Sequence, residues 1–245
     1  MNANSAQYRY PRRRLIRFVF SRLGHMALSL LSDFRIIGRE HLPGEGPLIV
    51  VGNHFHFTDT VAFVTAIRGP MEFLGGFQLI DAPPMLTWIP KLWGYYKVRR
   101  GGASRDAMRA ATAILAQDGV LAIFPEGGSW APVLRPPRPG TAYLAARTGA
   151  RILPVGLDGL TEMFPALRRG KRARVTVRIG KPFGPFEVAG RGRARRAQLE
   201  AIGEEIMRQI AGLIPPERHG VYSADPILRA AAQAAAVYPF ADSSE

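Results

Sequence analysis

The segment Asn53-His54-Phe55-His56-Phe57-Thr58-Asp59 sets an imidazole and a carboxylate close together in one short stretch. Histidine is the side chain best suited to accept a proton near neutral pH. An aspartate bonded to one ring nitrogen fixes the tautomer and leaves the other nitrogen free as a base. His54 with Asp59 could therefore deprotonate a weakly acidic hydroxyl. Taken alone, such a pair is more commonly a structural hydrogen bond. His56 reads as a loop or pocket residue rather than a second base. His54, His56 and Asp59 also raise metal ligation, but the remaining histidines are His25, His41 and His219 and there is no cysteine, so no metal site is expected.

Such a pair needs a scaffold. Pro47-Leu48-Ile49-Val50-Val51-Gly52 reads as a buried strand, and Thr60 to Ile67 as a helix. The pair then lies in a strand-to-helix loop, with Thr58 or Asp59 near the helix N-cap. Val120 to Phe124 is a second buried strand, delivering Pro125-Glu126-Gly127-Gly128 at its carboxyl end. Further strands are expected at Phe34–Gly38, Met71–Leu74, Ile152–Gly156 and Arg174–Ile179, the last with period-two alternation. Helices are expected at Arg105–Gln117, capped by Ser104 and closed by Gly119, at Thr141–Thr148, and at Ala197–Leu213. Strands alternating with helices predict an α/β domain with a single mixed, largely parallel sheet flanked by helices. Ligands gather beyond the carboxyl ends of strands in such sheets, so the His54 and Glu126 loops are expected to face one site.

Leu15 to Leu31 interleaves apolar residues with Arg17, Arg22 and His25 behind Arg12-Arg13-Arg14. It is short of the roughly 20 apolar residues that span a bilayer. Its pattern fits an amphipathic, membrane-associating helix in the headgroup region, or a helix covering the protein's own body. The expected organisation is a basic amphipathic segment over 1–32, a catalytic domain over 33–218 and a C-terminal tail over 219–245. A net charge of +14 points to an anionic partner: membrane face, phosphorylated substrate or nucleic acid. No nucleic-acid module is recognisable, so nucleic acid is not the expected partner. No small-residue cleavage site follows a clean apolar core, so a secretory leader is not expected.

Four segments in order resemble the glycerolipid acyltransferase family that includes 1-acylglycerol-3-phosphate acyltransferases. Asn53, His54 and Asp59 fit its N-H-x-x-x-x-D motif, and Gly94 to Arg100 its glycine-led segment ending in arginine. Phe124-Pro125-Glu126-Gly127 is its F-P-E-G, and Ile152-Leu153-Pro154-Val155 its apolar strand with a central proline. The resemblance implies transfer of a fatty acyl group from acyl-CoA or acyl carrier protein to the hydroxyl of 1-acylglycerol-3-phosphate. It implies His54 and Asp59 as the catalytic dyad, and acceptor binding by Asn53, Arg100 and Glu126. Backbone N–H groups at Gly127 and Gly128 are candidates for stabilising the thioester oxyanion. No tightly bound cofactor is implied. The expected partners are a lysophospholipid acceptor, an acyl thioester donor and the anionic, cytoplasmic face of the cell membrane.

Two departures bear on the acceptor. Many relatives follow F-P-E-G with Thr-Arg-Ser, where this chain has Gly128-Ser129-Trp130, and Pro139 replaces a common lysine before Gly140. Acylation of another lysophospholipid therefore stays open. So does the different class of a basic nucleic-acid-binding protein, to which the net charge alone lends weight.

Overall fold

The computed structural model describes residues 8–67, 69–75, 88–97 and 105–237. The six expected strands and a seventh that the sequence reading does not anticipate, β4, form one sheet: β1 (Ser32–Ile37), β2 (Leu48–Gly52), β3 (Glu72–Gly75), β4 (Tyr95–Lys97), β5 (Val120–Ile123), β6 (Arg151–Asp158) and β7 (Ala173–Ile179). Their spatial order is β1-β7-β6-β2-β5-β3-β4. Every neighbouring pair is parallel except β6 and β7. Buried on both faces, β2 has no polar side chain to solvate, as its unbroken apolar run requires.

Helices cover both faces. On one lie α1 (Arg14–Leu31), α2 (Asp59–Ala66) and α6 (Leu160–Arg168), packing Leu28, Phe63 and Met163 over Val50, Leu153 and Val177. On the other lie α4 (Arg105–Leu115), α5 (Gly140–Thr148) and α7 (Gly192–Ala211), packing Ile114, Leu144 and Ile206 over Ile49, Val51 and Ile152. The remaining helices are α3 (Trp88–Trp93) and α8 (Pro226–Ala236).

Several elements differ from the sequence expectation: β4 is an added strand, and the expected C-terminal tail carries the ordered helix α8. The helix expected from Ala197 begins at Gly192, since Arg193, Ala194, Arg195 and Arg196 are good helix formers on an exposed face. The unanticipated α6 contains Pro165, which removes one intrahelical bond, yet its buried Leu160, Met163 and Ala166 hold it to the sheet. The short α3 tolerates Pro90 because that residue falls in its first turn. The Ser104 cap lies outside the described residues.

The N-terminal helix packs Phe20 and Leu28 on the core but leaves much of its apolar surface outward. Its inward side carries Arg17, Ser21, Gly24 and Leu28, whereas Leu15, Phe18, Val19, Leu23, Met26 and Leu30 are exposed. Gly24 lets the helices close up: a Cβ there would lie 3.0 Å from Val61 and 3.1 Å from Thr65 of α2. Ser21 Oγ donates to the Val64 carbonyl across the same contact at 3.0 Å. Among the described residues, no helix is long and apolar enough to cross a membrane.

Arg12 and Arg13, part of the basic run before the amphipathic helix, are engaged by the protein itself. Arg12 and the buried Arg17 converge on the Glu72 carboxylate, with closest approaches of 2.5 and 2.7 Å. Arg13 Nη1 donates to the carbonyls of Lys91 and Leu92, and Arg17 Nε to that of Trp93. The cause is Glu72: a carboxylate with no exposure must recruit cations, and the start of α1 lies within reach. Burial alone would raise the Glu72 pKa, but hydrogen bonds and charge from Arg17 and Arg12 outweigh it and hold the carboxyl below its usual range.

Candidate active site

The loop after β2 carries the histidine, and every backbone N–H from His54 to His56 ends on a carboxylate. Glu126 Oε1 accepts from the His54 N–H at 2.8 Å. Asp59 Oδ2 accepts from Phe55 and His56 at 2.5 and 2.7 Å. The same Asp59 oxygen lies 3.2 Å from His54 Nδ1. Asp59 is the first residue of α2 and is 2% exposed, so helix and strand fix its position together. Thr58 stands at the N-cap position but makes no side-chain cap, its hydroxyl pairing with His56 Nδ1 at 2.7 Å.

With Nδ1–H donating to the carboxylate, Nε2 carries the free lone pair. The His54 ring stacks on Phe124 at 4.1 Å between centroids and retains 17% side-chain exposure, so the base stays reachable. Beside it, Phe57 and Phe164 stack at 6.1 Å, with His56 tilted against both. This aromatic wall joins the β2 loop to α6.

Asn53 is fully buried. Its side chain donates to the Leu157 carbonyl and accepts from the Leu157 N–H, both at 2.8 Å, extending the β2–β6 pairing by one residue. Glu126 is 1% exposed, and both oxygens are bonded within the protein. Burial pushes its pKa up, against the pull of Arg135 and the His54 N–H. Gly127 adopts a φ of 84°, left-handed backbone that favours glycine, and its N–H closes a turn onto Phe124 O. Gly128 is buried, with its carbonyl accepting from Arg135. Arg100 lies outside the described residues.

The structure thus gathers Asn53, His54, Asp59, Glu126, Gly127 and Gly128 at the carboxyl ends of β2 and β5, where the sequence expects them. Sequence reasoning missed Arg135. Its guanidinium is 1% exposed and lies 2.7 Å from Glu126 Oε2. A buried glutamate demands a cation, but nothing in the spacing singles out Arg135 from Arg138 or Arg147. Among the described residues no group of acidic or histidine side chains could hold a metal ion.

Residues 33–158, a span that includes the entire His54 and Glu126 arrangement, match the acyltransferase family model. This chain belongs to the acyltransferase family. It is 27% identical over 141 residues to the 1-acyl-sn-glycerol-3-phosphate acyltransferase of Borreliella burgdorferi, a match covering 55% of each chain. Against the sheep (Ovis aries) 1-acyl-sn-glycerol-3-phosphate acyltransferase alpha, identity is 26% over 153 residues, covering 59% of this chain and 52% of the relative. The chain spans about half the length of the curated relatives it matches. The fold is similar to the crystal structure of the 1-acyl-sn-glycerophosphate (LPA) acyltransferase PlsC from Thermotoga maritima, with a TM-score of 0.55, 22% identity and 78% of each chain covered.

Proposed function

We propose that this acyltransferase moves a fatty acyl group from a thioester, acyl-CoA or acyl carrier protein, to the free hydroxyl of 1-acylglycerol-3-phosphate, giving phosphatidic acid. The observation that carries the reading is the 3.2 Å approach of His54 Nδ1 to the buried Asp59 carboxylate, on a ring still partly open to solvent. His54 Nε2 takes the acceptor hydroxyl proton as the oxygen attacks the thioester carbonyl, and Asp59 stabilises the resulting imidazolium. Collapse of the tetrahedral intermediate expels the thiolate, which takes the proton back from His54. No acyl-enzyme is needed. The names of the relatives support the same acceptor.

Gly128 is the candidate backbone donor to the oxyanion, since the Gly127 N–H is occupied by Phe124 O. Arg100 is the candidate for the acceptor phosphate, where a guanidinium forms charge-assisted bonds. Asn53 and Glu126 act by shaping the loop, in keeping with their burial. The outward apolar face of α1, continued by exposed Trp88 and Leu92 of α3 and flanked by exposed Arg14 and Arg22, docks the enzyme on an anionic membrane surface, on the cytoplasmic side. A second reading, acylation of another lysophospholipid, draws on Ser129, which leaves the F-P-E-G loop without a following arginine.

The test incubates purified wild type and His54→Ala with a panel of lysophospholipids and labelled acyl-CoA or acyl carrier protein, identifying the lipid products. Phosphatidic acid from wild type and none from His54→Ala is the expected result. An active His54→Ala variant defeats the mechanism; a different lysophospholipid as the best acceptor selects the second reading.

A further inference from the structure

The backbone N–H and carbonyl of His54 are both held by one buried ion pair. Glu126 Oε1 accepts from its N–H at 2.8 Å, and Arg135 Nη2 donates to its carbonyl at 2.9 Å. The pair is closed by Arg135 Nε on Glu126 Oε2 at 2.8 Å and by the Arg135 N–H on the same oxygen at 3.1 Å. Arg135 Nη2 also reaches the Gly128 carbonyl at 2.8 Å. On its other side the guanidinium stacks 4.0 Å from the Trp130 ring centroid. Trp130 Nε1 in turn donates to the Ala235 carbonyl in α8 at 2.9 Å.

We infer that Arg135 is a positioning residue for His54, acting through Glu126 and the His54 carbonyl, with Trp130 and the C-terminal helix as its brace. The inference rests on reading His54 as the base. A planar guanidinium offers its donors in a fixed fork, so it can serve a carboxylate and two carbonyls at once; an ammonium is a point charge on a flexible stem. Without Arg135 the buried Glu126 loses its counter-charge, and a protonated carboxyl holds the His54 N–H less firmly. The histidine ring would then lose its register with Asp59. An error of about 1 Å in a reacting group can cost about a hundredfold in rate.

Three variants decide it: Arg135→Lys, Trp130→Phe and Glu126→Gln. Each is assayed for acyl transfer across acceptor concentrations, for its melting temperature, and for the His54 ring tautomer by long-range ¹H–¹⁵N correlation. In Arg135→Lys, kcat should fall about ten- to a hundredfold while the acceptor KM stays within about twofold, and the ring signal should shift away from the Nδ1–H form. Trp130→Phe keeps the stacked ring, loses the bond to Ala235 and should show the same changes more weakly. It also carries the test should Arg135→Lys fail to fold. Adding Glu126→Gln to Arg135→Lys should cost little more than either alone, because both act through one grip.

Wild-type kcat and an unaltered His54 signal in folded Arg135→Lys would overturn the inference. So would a loss confined to acceptor KM, which would make Arg135 a substrate-binding residue. If wild type transfers no acyl group to any acceptor, the proposed reaction fails, while the ring tautomer still decides the role of Arg135.

Discussion

Glu72 and Glu126 are both buried carboxylates at the ends of neighbouring parallel strands, both paired with arginine, yet they do opposite work. Glu72 meets two guanidiniums, Arg12 and Arg17, and its carboxyl is held below the usual range. Glu126 meets one, Arg135, and burial pushes its carboxyl above that range. Two hydrogen-bonded cations outweigh desolvation at Glu72, whereas at the more deeply desolvated Glu126 a single one does not. The difference follows use. Glu72 clamps the start of α1 to β3, while Arg17 also donates to the Trp93 and Gly94 carbonyls at the α3–β4 corner. Glu126 spends one oxygen on the His54 N–H, so part of its bonding capacity goes to geometry.

The largest effect separates the two regions by chemistry. His54→Ala should lower acyl transfer by about a hundred- to ten-thousand-fold with little change in stability, read by product formation beside a urea titration. Removing the clamp should do the reverse. Glu72→Ala leaves Arg17 buried without its partner and should cost about 3–5 kcal/mol of unfolding free energy, measured by urea denaturation.

The pH dependence sharpens the contrast. With the folded pKa of Glu72 depressed, its contribution is complete above the ordinary carboxylate value and is lost as pH falls through the folded value. With the folded pKa of Glu126 raised, its contribution is present below the ordinary value and is lost as pH rises through the folded value. Urea midpoints of Glu72→Gln and Glu126→Gln, compared with wild type across the acid range, should therefore diverge with opposite slopes. Slopes of the same sign would end the comparison.

The smallest expected effect on the fold is at the surface. Leu23→Asp on the outward face of α1 should leave stability within about 0.5 kcal/mol. It should weaken sedimentation with phosphatidylglycerol vesicles by about tenfold, since an apolar anchor is exchanged for a charge that anionic lipid repels. Unchanged sedimentation would count against the proposed docking of this face on a membrane.

The sequence by itself determined six of the seven strands, all but the short edge strand β4, because unbroken apolar runs such as Leu48–Val51 can bury on both faces and alternation at Arg174–Ile179 can bury on one. It also placed His54, Asp59 and Glu126 at strand ends, since local spacing carries that information. Tertiary structure decided the rest, because it depends on which distant groups meet. No pattern tells that Arg17 turns inward to Glu72 while Leu15 and Phe18 turn outward. Nor could spacing choose Arg135 as the partner of Glu126, or bring Trp130 to Ala235 across 105 positions of chain. A buried charge requires a partner by energy alone, but which partner arrives is set by how the sheet and helices close around it.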